Sequence, residues 1–241
     1  MKKHLIVDVG NTCTKMAYVR SGKLETIHRC SGEETESRVL EMLRKEDVDT
    51  VVLSSVKAVR PDWEEKLKGA SRKYVRFDSL TPTNLVNGYA TPQTLGADRL
   101  AAAVGARVLF PDQPLLIIDF GTAITMDRVS REGVFEGGNI SLGLKTRFRA
   151  LHEYTGKLPL LDPPVSVSEI GHSTQTAIEN GVVLGIIFEV EGYLRRFPEY
   201  IPIFTGGDAF YFAEKLKTPI FAVYNLVLTG LAYVAEKNAI Q

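Results

Sequence analysis

DVGNTCTK (Asp8–Lys15) and DFGTAIT (Asp119–Thr125) decide how this chain folds. Each begins with an acid at the end of an apolar run, Leu5 to Val7 in the first case and Leu115 to Ile118 in the second. Each leads into a second strand-like run and then a glycine turn, Ser21-Gly22 or Glu132-Gly133. Asp8 and Asp119, Gly10 and Gly121, Thr14 and Thr125, and Gly22 and Gly133 are all 111 positions apart. A shared D-x-G-x-x-x-T with a turn at constant distance reads as two copies of one supersecondary unit. β-Branched and aromatic residues, with glycine at each reversal, make each copy a strand, a tight turn, a second strand, a hairpin and a third strand.

Helices alternate with strands after each copy. In the first half Glu33 to Lys45 reads as an amphipathic helix through Val39, Leu40 and Leu43, Thr50 to Ser55 as a strand, Pro61 to Lys68 as a helix with proline at its start, and Lys73 to Phe77 as a strand. In the second half Ser173-Thr174 caps a long helix reaching about Arg196, and Ile201 to Thr205 forms a strand entering Gly206-Gly207. Asp208 to Leu216 and Asn225 to Glu236 read as the last two helices. This pattern, made twice, predicts an α/β protein of two similar lobes, residues 1–112 and 113–241, with a ligand cleft between them onto which each lobe turns its first tight turn.

Composition narrows the function. The 241 residues are 44% hydrophobic and carry 29 Lys+Arg against 29 Asp+Glu, a formal net charge of zero. No basic excess or stripe marks a nucleic-acid binder, and no apolar stretch approaches the 18 or so residues that span a membrane. The start, Met1 to His4 followed by Leu5-Ile6-Val7-Asp8, is too short and too soon broken by an acid to be a signal-peptide core, so a cytoplasmic protein is expected. Cys13 and Cys30 are too few for a disulfide framework, and His4, His28, His152 and His172 share no metal-ligand or triad spacing with them or with each other.

The turns carry the chemistry. In Asp8 to Lys15, glycine lets backbone amides approach a ligand, and Asn11, Thr12 and Thr14 add small polar groups, so the segment reads either as an anion-holding concavity with Asp8 near a divalent metal or as a plain β-turn. No G-x-x-x-x-G-K-[ST] and no strand-linked G-x-G-x-x-G occurs, which sets aside the P-loop and dinucleotide folds. Thr205-Gly206-Gly207-Asp208-Ala209 offers close backbone approach to a base or ribose, or a glycine turn with Asp208 as helix cap. Gly96-Ala97-Asp98-Arg99 opens a strong helix former, so Asp98 either caps that helix or acts as general base, with Arg99 as anion ligand. Tyr89 reads equally as packing or as a substrate contact. Gly137-Gly138-Asn139-Ile140 and Gly143 read as a strand-to-helix turn or as a close approach to substrate.

Taken in order, these stretches resemble the type III pantothenate kinases of the acetate and sugar kinase/Hsp70/actin superfamily. The matching segments are DVGNTCTK, Y-x-x-P-x-x-L-G-A-D-R (Tyr89–Arg99), DFGTAIT, GGNI-x-x-GL (Gly137–Leu144), STQTAIENG (Ser173–Gly181), TGGDA (Thr205–Ala209) and NLVLTGL (Asn225–Leu231), which together span residues 8–231. Leu142 stands where the family commonly has proline, a change that touches loop rigidity and brings no reacting group. The resemblance implies two duplicated ribonuclease H-like lobes in an actin-like ATPase fold, and ATP-dependent phosphorylation of pantothenate to 4'-phosphopantothenate, the first step of coenzyme A biosynthesis. It implies that Asp8, Val9, Gly10, Asn11, Thr12, Cys13, Thr14 and Lys15 cradle the ATP phosphates, with Asp8 near Mg2+ through water, and that Thr122, Gly206 and Gly207 meet the nucleotide. Asp119 then sits by a monovalent cation, K+ or NH4+, and Asp98 accepts the proton of the pantothenate hydroxyl. Tyr89, Gly96, Ala97, Arg99 and Thr174 bind pantothenate, Thr174 from the neighbouring subunit of a homodimer. The same fold acting on another small alcohol, or a nucleotide-binding regulator without catalysis, are the competing readings. The presence of Asp8, Asp98 and Asp119 together argues against the regulator.

Overall fold

The computed structural model describes residues 2–216 and 219–239. The first apolar run becomes β1 (Lys3–Val9), buried along its whole length, and runs antiparallel to β2 (Thr14–Arg20), which pairs antiparallel with β3 (Lys23–Cys30). Ser21 and Gly22 turn the second hairpin at φ +50° and +72°, the left-handed region that glycine enters without steric cost. The chain continues through helix α1 (Thr35–Lys45), strand β4 (Thr50–Ser55), helix α2 (Pro61–Gly69) and strand β5 (Lys73–Phe77). The sheet order is β3-β2-β1-β4-β5, with β1, β4 and β5 parallel. Burial on both faces is why the centres of β1 and β4, residues 5–7 and 51–53, read as unbroken apolar runs. Helix α1 buries Thr35, Val39 and Met42, spaced four and three apart, so its inner stripe passes through Met42 and leaves Leu40 and Leu43 on the flanks.

Strand β6 (Val86–Asn87), a short 3-10 turn at Pro92–Thr94 and helix α3 (Ala97–Leu109) lead to the second copy. There β7 (Leu115–Phe120), β8 (Ala123–Val129) and β9 (Val134–Leu142) are followed by helix α4 (Leu144–Tyr154), helix α5 (Thr174–Arg196), strand β10 (Ile201–Thr205), helix α6 (Ala209–Ala213), strand β11 (Phe221–Ala222) and helix α7 (Leu226–Ala239). Five of the six strands of this sheet, in the order β9-β8-β7-β10-β11, repeat the order of the first sheet position for position, and β6 adds at the edge of β9. The duplication read from a 111-residue offset is therefore a duplication of topology.

Three details depart from the sequence reading. Only Gly121 and Thr122 separate β7 from β8, whereas four residues separate β1 from β2, so the two turns are cousins and not copies. Helix α6 stops at Ala213, where the N–H of Lys215 bonds to Phe212 O only three residues behind it. Gly137 and Gly138 lie inside β9, and the strand-to-helix turn falls later, at Gly143.

The chain divides into two compact units. The first runs to Gln113, takes in Arg128–Gly137 and resumes from Asn225; the second comprises Pro114–Asp127 and Gly138–Tyr224. The tip of the β8–β9 hairpin and the closing helix thus join the first unit, while the expected division put everything after residue 112 in the second lobe. Within the first unit, β1 and β4 turn Leu5, Val7, Val9, Val51 and Leu53 toward a core with Val39, Trp63 and Leu67. Helices α3 and α7 pack against each other and against this sheet. A Cβ on Gly105 would lie 2.2 Å from Leu226 O, and one on Gly230 would lie 2.0 Å from Ala101 O, so the two helices touch backbone to backbone. In the second unit Leu116, Ile118 and Phe120 of β7 meet Ile178, Val182, Ile186 and Val190 of α5, and the Phe120 ring stacks on Phe212 at 4.9 Å.

Candidate functional site

Asp8 is the penultimate residue of β1, with 8% of its surface exposed, opposite Lys15 on β2 and level with Ser54 on β4. After it the chain reverses tightly: Gly10 N–H donates to Cys13 O at 3.2 Å, and a Cβ on Gly10 would stand 3.0 Å from that oxygen. Asn11 and Thr12 are exposed at the tip and Cys13 is half-buried. Thr14 is buried, and its hydroxyl lies 2.6 Å from the hydroxyl of Thr35, which opens α1, so the turn is braced from below. Ser54, which the sequence reading passed over, is wholly buried and its Oγ makes no hydrogen bond. A lone serine in an apolar strand gives no signal by itself; only the parallel register sets it beside Asp8.

A second group forms where α3 begins. Gly96 holds the N-cap position and makes no side-chain cap, Asp98 lies in the first turn, and Asp98 Oδ1 accepts the N–H of Arg99 at 2.9 Å. Asp98 is not the N-cap residue, but its carboxylate takes up one of the first-turn N–H groups that have no partner within the helix, and a negative charge there suits the helix dipole. A Cβ on Gly96 would come within 2.5 Å of Asp98 Oδ1, so this position admits only glycine while the acid keeps its place. Arg99 is 6% exposed, and its guanidinium carbon stands 5.6 Å from the centroid of the Tyr89 ring and 6.0 Å from that of Phe135. The structure thus gathers Tyr89, Gly96, Ala97, Asp98 and Arg99 within one unit, and adds Phe135, an aromatic that the sequence alone presents as ordinary strand core. Gly137, at φ +109°, passes 3.5 Å from the Tyr89 ring measured from an added Cβ.

In the second unit, Asp119 occupies the position that corresponds to Asp8. Gly206, at φ +95°, brings its backbone so close that a Cβ would lie 2.4 Å from Asp119 Oδ1 and 2.6 Å from both N and O of Phe120. Asp208 N–H donates to Phe120 O at 3.2 Å, which ties the Thr205–Asp208 turn to the end of β7. Asp208 stands at the N-cap position of α6 without making a side-chain cap bond, and burial pushes its carboxyl above the ordinary carboxylate range, with Lys145 acting in the opposite sense. Thr122 is held through its backbone: its carbonyl accepts both the N–H of Gly143 at 3.0 Å and the hydroxyl of Thr146 at 2.7 Å. Thr174, in the same unit, is exposed at the first position of α5. There Ser173 and Thr176 close a capping box, with Ser173 Oγ accepting from Thr176 N–H at 3.2 Å. Thr174 borders an apolar groove of about 810 Å³ walled by α4 and α5.

These are oxygen donors at strand ends, and among the described residues no three His, Cys, Asp or Glu side chains gather to cage a metal. Among the described helices none is long and apolar enough to cross a membrane.

A model of the type III pantothenate kinase family matches residues 4–196. The chain belongs to that family. A type III pantothenate kinase of Porphyromonas gingivalis is 40% identical over 245 residues, covering 99% of this chain and all of the relative. Two solved structures share the fold at lower identity. A Campylobacter jejuni protein described as a Baf family transcriptional activator superposes with a TM-score of 0.67 at 20% identity over 98% of this chain and all of that one. The activator of 2-hydroxyisocaproyl-CoA dehydratase from Clostridium difficile, solved with bound ADPNP, gives 0.58 at 16% identity over 99% of this chain and 94% of the other. For a type III pantothenate kinase the expected α/β architecture, two sheets built on one repeated strand order, is the one observed.

Proposed function

We infer that the chain transfers the γ-phosphoryl group of ATP to the terminal hydroxyl of pantothenate, giving 4'-phosphopantothenate on the route to coenzyme A. The observation that carries this reading is the opening of α3, where a carboxylate and a buried guanidinium occupy consecutive residues beside an aromatic ring. Pantothenate presents one alcohol to be deprotonated and one carboxylate to be held, and Asp98 and Arg99 answer those two needs in that order. As the hydroxyl oxygen bonds to the γ-phosphorus, its proton passes to Asp98 and the bond to the ADP oxygen breaks. Such a transfer asks mainly for positioning and charge neutralisation.

The turn from Asp8 to Lys15 holds the phosphates through backbone N–H groups and small hydroxyls, braced by the Thr14–Thr35 contact. Thr122, Gly206 and Gly207 contact the nucleotide, Gly207 with open space where a side chain would stand. Asp8 holds Mg2+ through water: a single carboxylate with the unpaired hydroxyl of Ser54 nearby suits an ion that keeps most of its waters and binds mainly through substrate phosphates. Asp119, with the Gly206 backbone pressed against its carboxylate, offers the hard oxygen donors that K+ or NH4+ takes. Bound there, the two cations supply charge neutralisation for the phosphates. The apolar groove at Thr174 supports a homodimer in which Thr174 of one protomer completes the pantothenate site of its partner. The enzyme acts in the cytoplasm.

Asp98→Asn tests the assignment. The variant is expected to bind ATP in calorimetry as the parent does and to lose about 10²- to 10⁴-fold in kcat, the usual worth of a general base. Turnover at the parental rate removes Asp98 from the reaction.

A further inference from the structure

We propose that Phe135 is a positioning residue that, with Tyr89, clamps the Arg99 guanidinium and so sets the enzyme's preference for a carboxylate-bearing acceptor. The proposal rests on Arg99 as the partner of the substrate carboxylate. Phe135 is wholly buried in β9, its ring 6.2 Å from that of Tyr89 at an angle of 61°. Two rings set edge to face form a corner, and the guanidinium carbon of Arg99 lies within reach of both, 5.6 and 6.0 Å from their centroids.

Backbone geometry builds that corner. Strand β6 pairs with β9 so that Asn87 lies level with Phe135, and Gly88 N–H donates to Phe135 O at 3.0 Å. A Cβ on Gly88 would approach that oxygen to 2.9 Å, so the glycine lets the strands close. Asn87 Oδ1 then accepts the Tyr89 N–H at 3.0 Å and fixes where the Tyr89 ring begins. β6 is only two residues long, and its placement on β9 brings Tyr89 to Phe135. Arg99 enters from the first turn of α3 with 6% of its surface exposed. A guanidinium so enclosed keeps few rotamers, and two π-faces offset part of the cost of removing it from water. Held in one orientation, its planar fork presents paired donors to a carboxylate, which a neutral amide or alcohol in the same place does not match.

The test compares the parent enzyme with Phe135→Leu, which keeps an apolar side chain and removes the π-face, using pantothenate and panthenol, its analogue with an alcohol in place of the carboxylate. Phe135→Leu is expected to raise the KM for pantothenate about tenfold, to leave kcat and the KM for ATP within about twofold, and to lower the preference for pantothenate over panthenol by about tenfold. Equal loss on both acceptors, or a matching loss of ATP affinity, makes Phe135 a packing residue and overturns the proposal. A parent enzyme inactive on pantothenate overturns the functional reading instead. The clamp has a readout that needs neither turnover nor a variant: the Arg99 Nε–H proton of the free parent protein is expected to show a ring-current shift in NMR. An unshifted signal overturns the clamp, including where Phe135→Leu fails to fold.

Discussion

At the scale of single residues, the two acids Asp8 and Asp119 show how much one position owes to its neighbours. Both are the penultimate residue of a central strand, yet one strand is followed by a four-residue reversal and the other by two residues, with Gly206 closing over the second carboxylate. His4, which sequence spacing left without a role, proves to be wholly buried in β1, with Glu236 Oε1 3.8 Å from its Nε2. Burial lowers its pKa below 6.5, against the opposing pull of Glu236 and Asp49, and Lys2 adds to the lowering. Between the lowered folded-state pKa and 6.5 the unfolded chain binds more protons than the folded one, so the stability linked to His4 is complete above 6.5 and is lost as the pH falls below it. The parent protein is therefore expected to lose melting temperature between pH 7.5 and pH 5.5, and His4→Gln to lose less over the same interval, as read by calorimetry or circular dichroism. Equal losses in the two proteins remove His4 as a source of acid sensitivity.

Among elements, the α3–α7 crossing matters most, because α3 carries Asp98 and Arg99 and α7 is what it leans on. Gly105 and Gly230 face each other's helices at distances that leave no room for a methyl group. Gly230→Ala is expected to cost about 1–3 kcal/mol in chemical denaturation through overpacking, and to weaken turnover with pantothenate before it weakens ATP binding. Unchanged stability means that the helices separate freely. This crossing also marks how far sequence reading reaches. The meanders, the cap at Ser173 and most helix starts were legible, since each is written in contiguous residues: alternation, glycine at reversals, a hydroxyl before an apolar run. Gly105 inside an alanine-rich helix and Gly230 in another carry their meaning only once the two helices meet. Ser54 beside Asp8, and Phe135 beside Arg99, depend in the same way on strand register and on a two-residue β6 too short to announce itself. The end of α6 depends on the Lys215 N–H closing onto Phe212 O, a geometry that helix propensity does not encode.

For the whole molecule, the repeated strand order explains why a chain of zero net charge handles anionic substrates. Each unit sets a carboxylate next to the end of a central strand and follows it with a close backbone turn, and in the proposed function such turns draw on amides and hydroxyls in place of a basic surface. The family match over residues 4–196 and the 40% identity to the Porphyromonas gingivalis enzyme place the chain among the type III pantothenate kinases. The roles assigned to Asp98, Arg99 and Asp119 then stand or fall on turnover. The most direct measurement follows ADP release from the purified chain with Mg-ATP and pantothenate, with and without K+, and identifies the product by mass. The expected result is pantothenate-dependent release that produces 4'-phosphopantothenate and collapses when K+ is replaced by Na+. A folded protein that releases no ADP on addition of pantothenate in the presence of K+ contradicts the account.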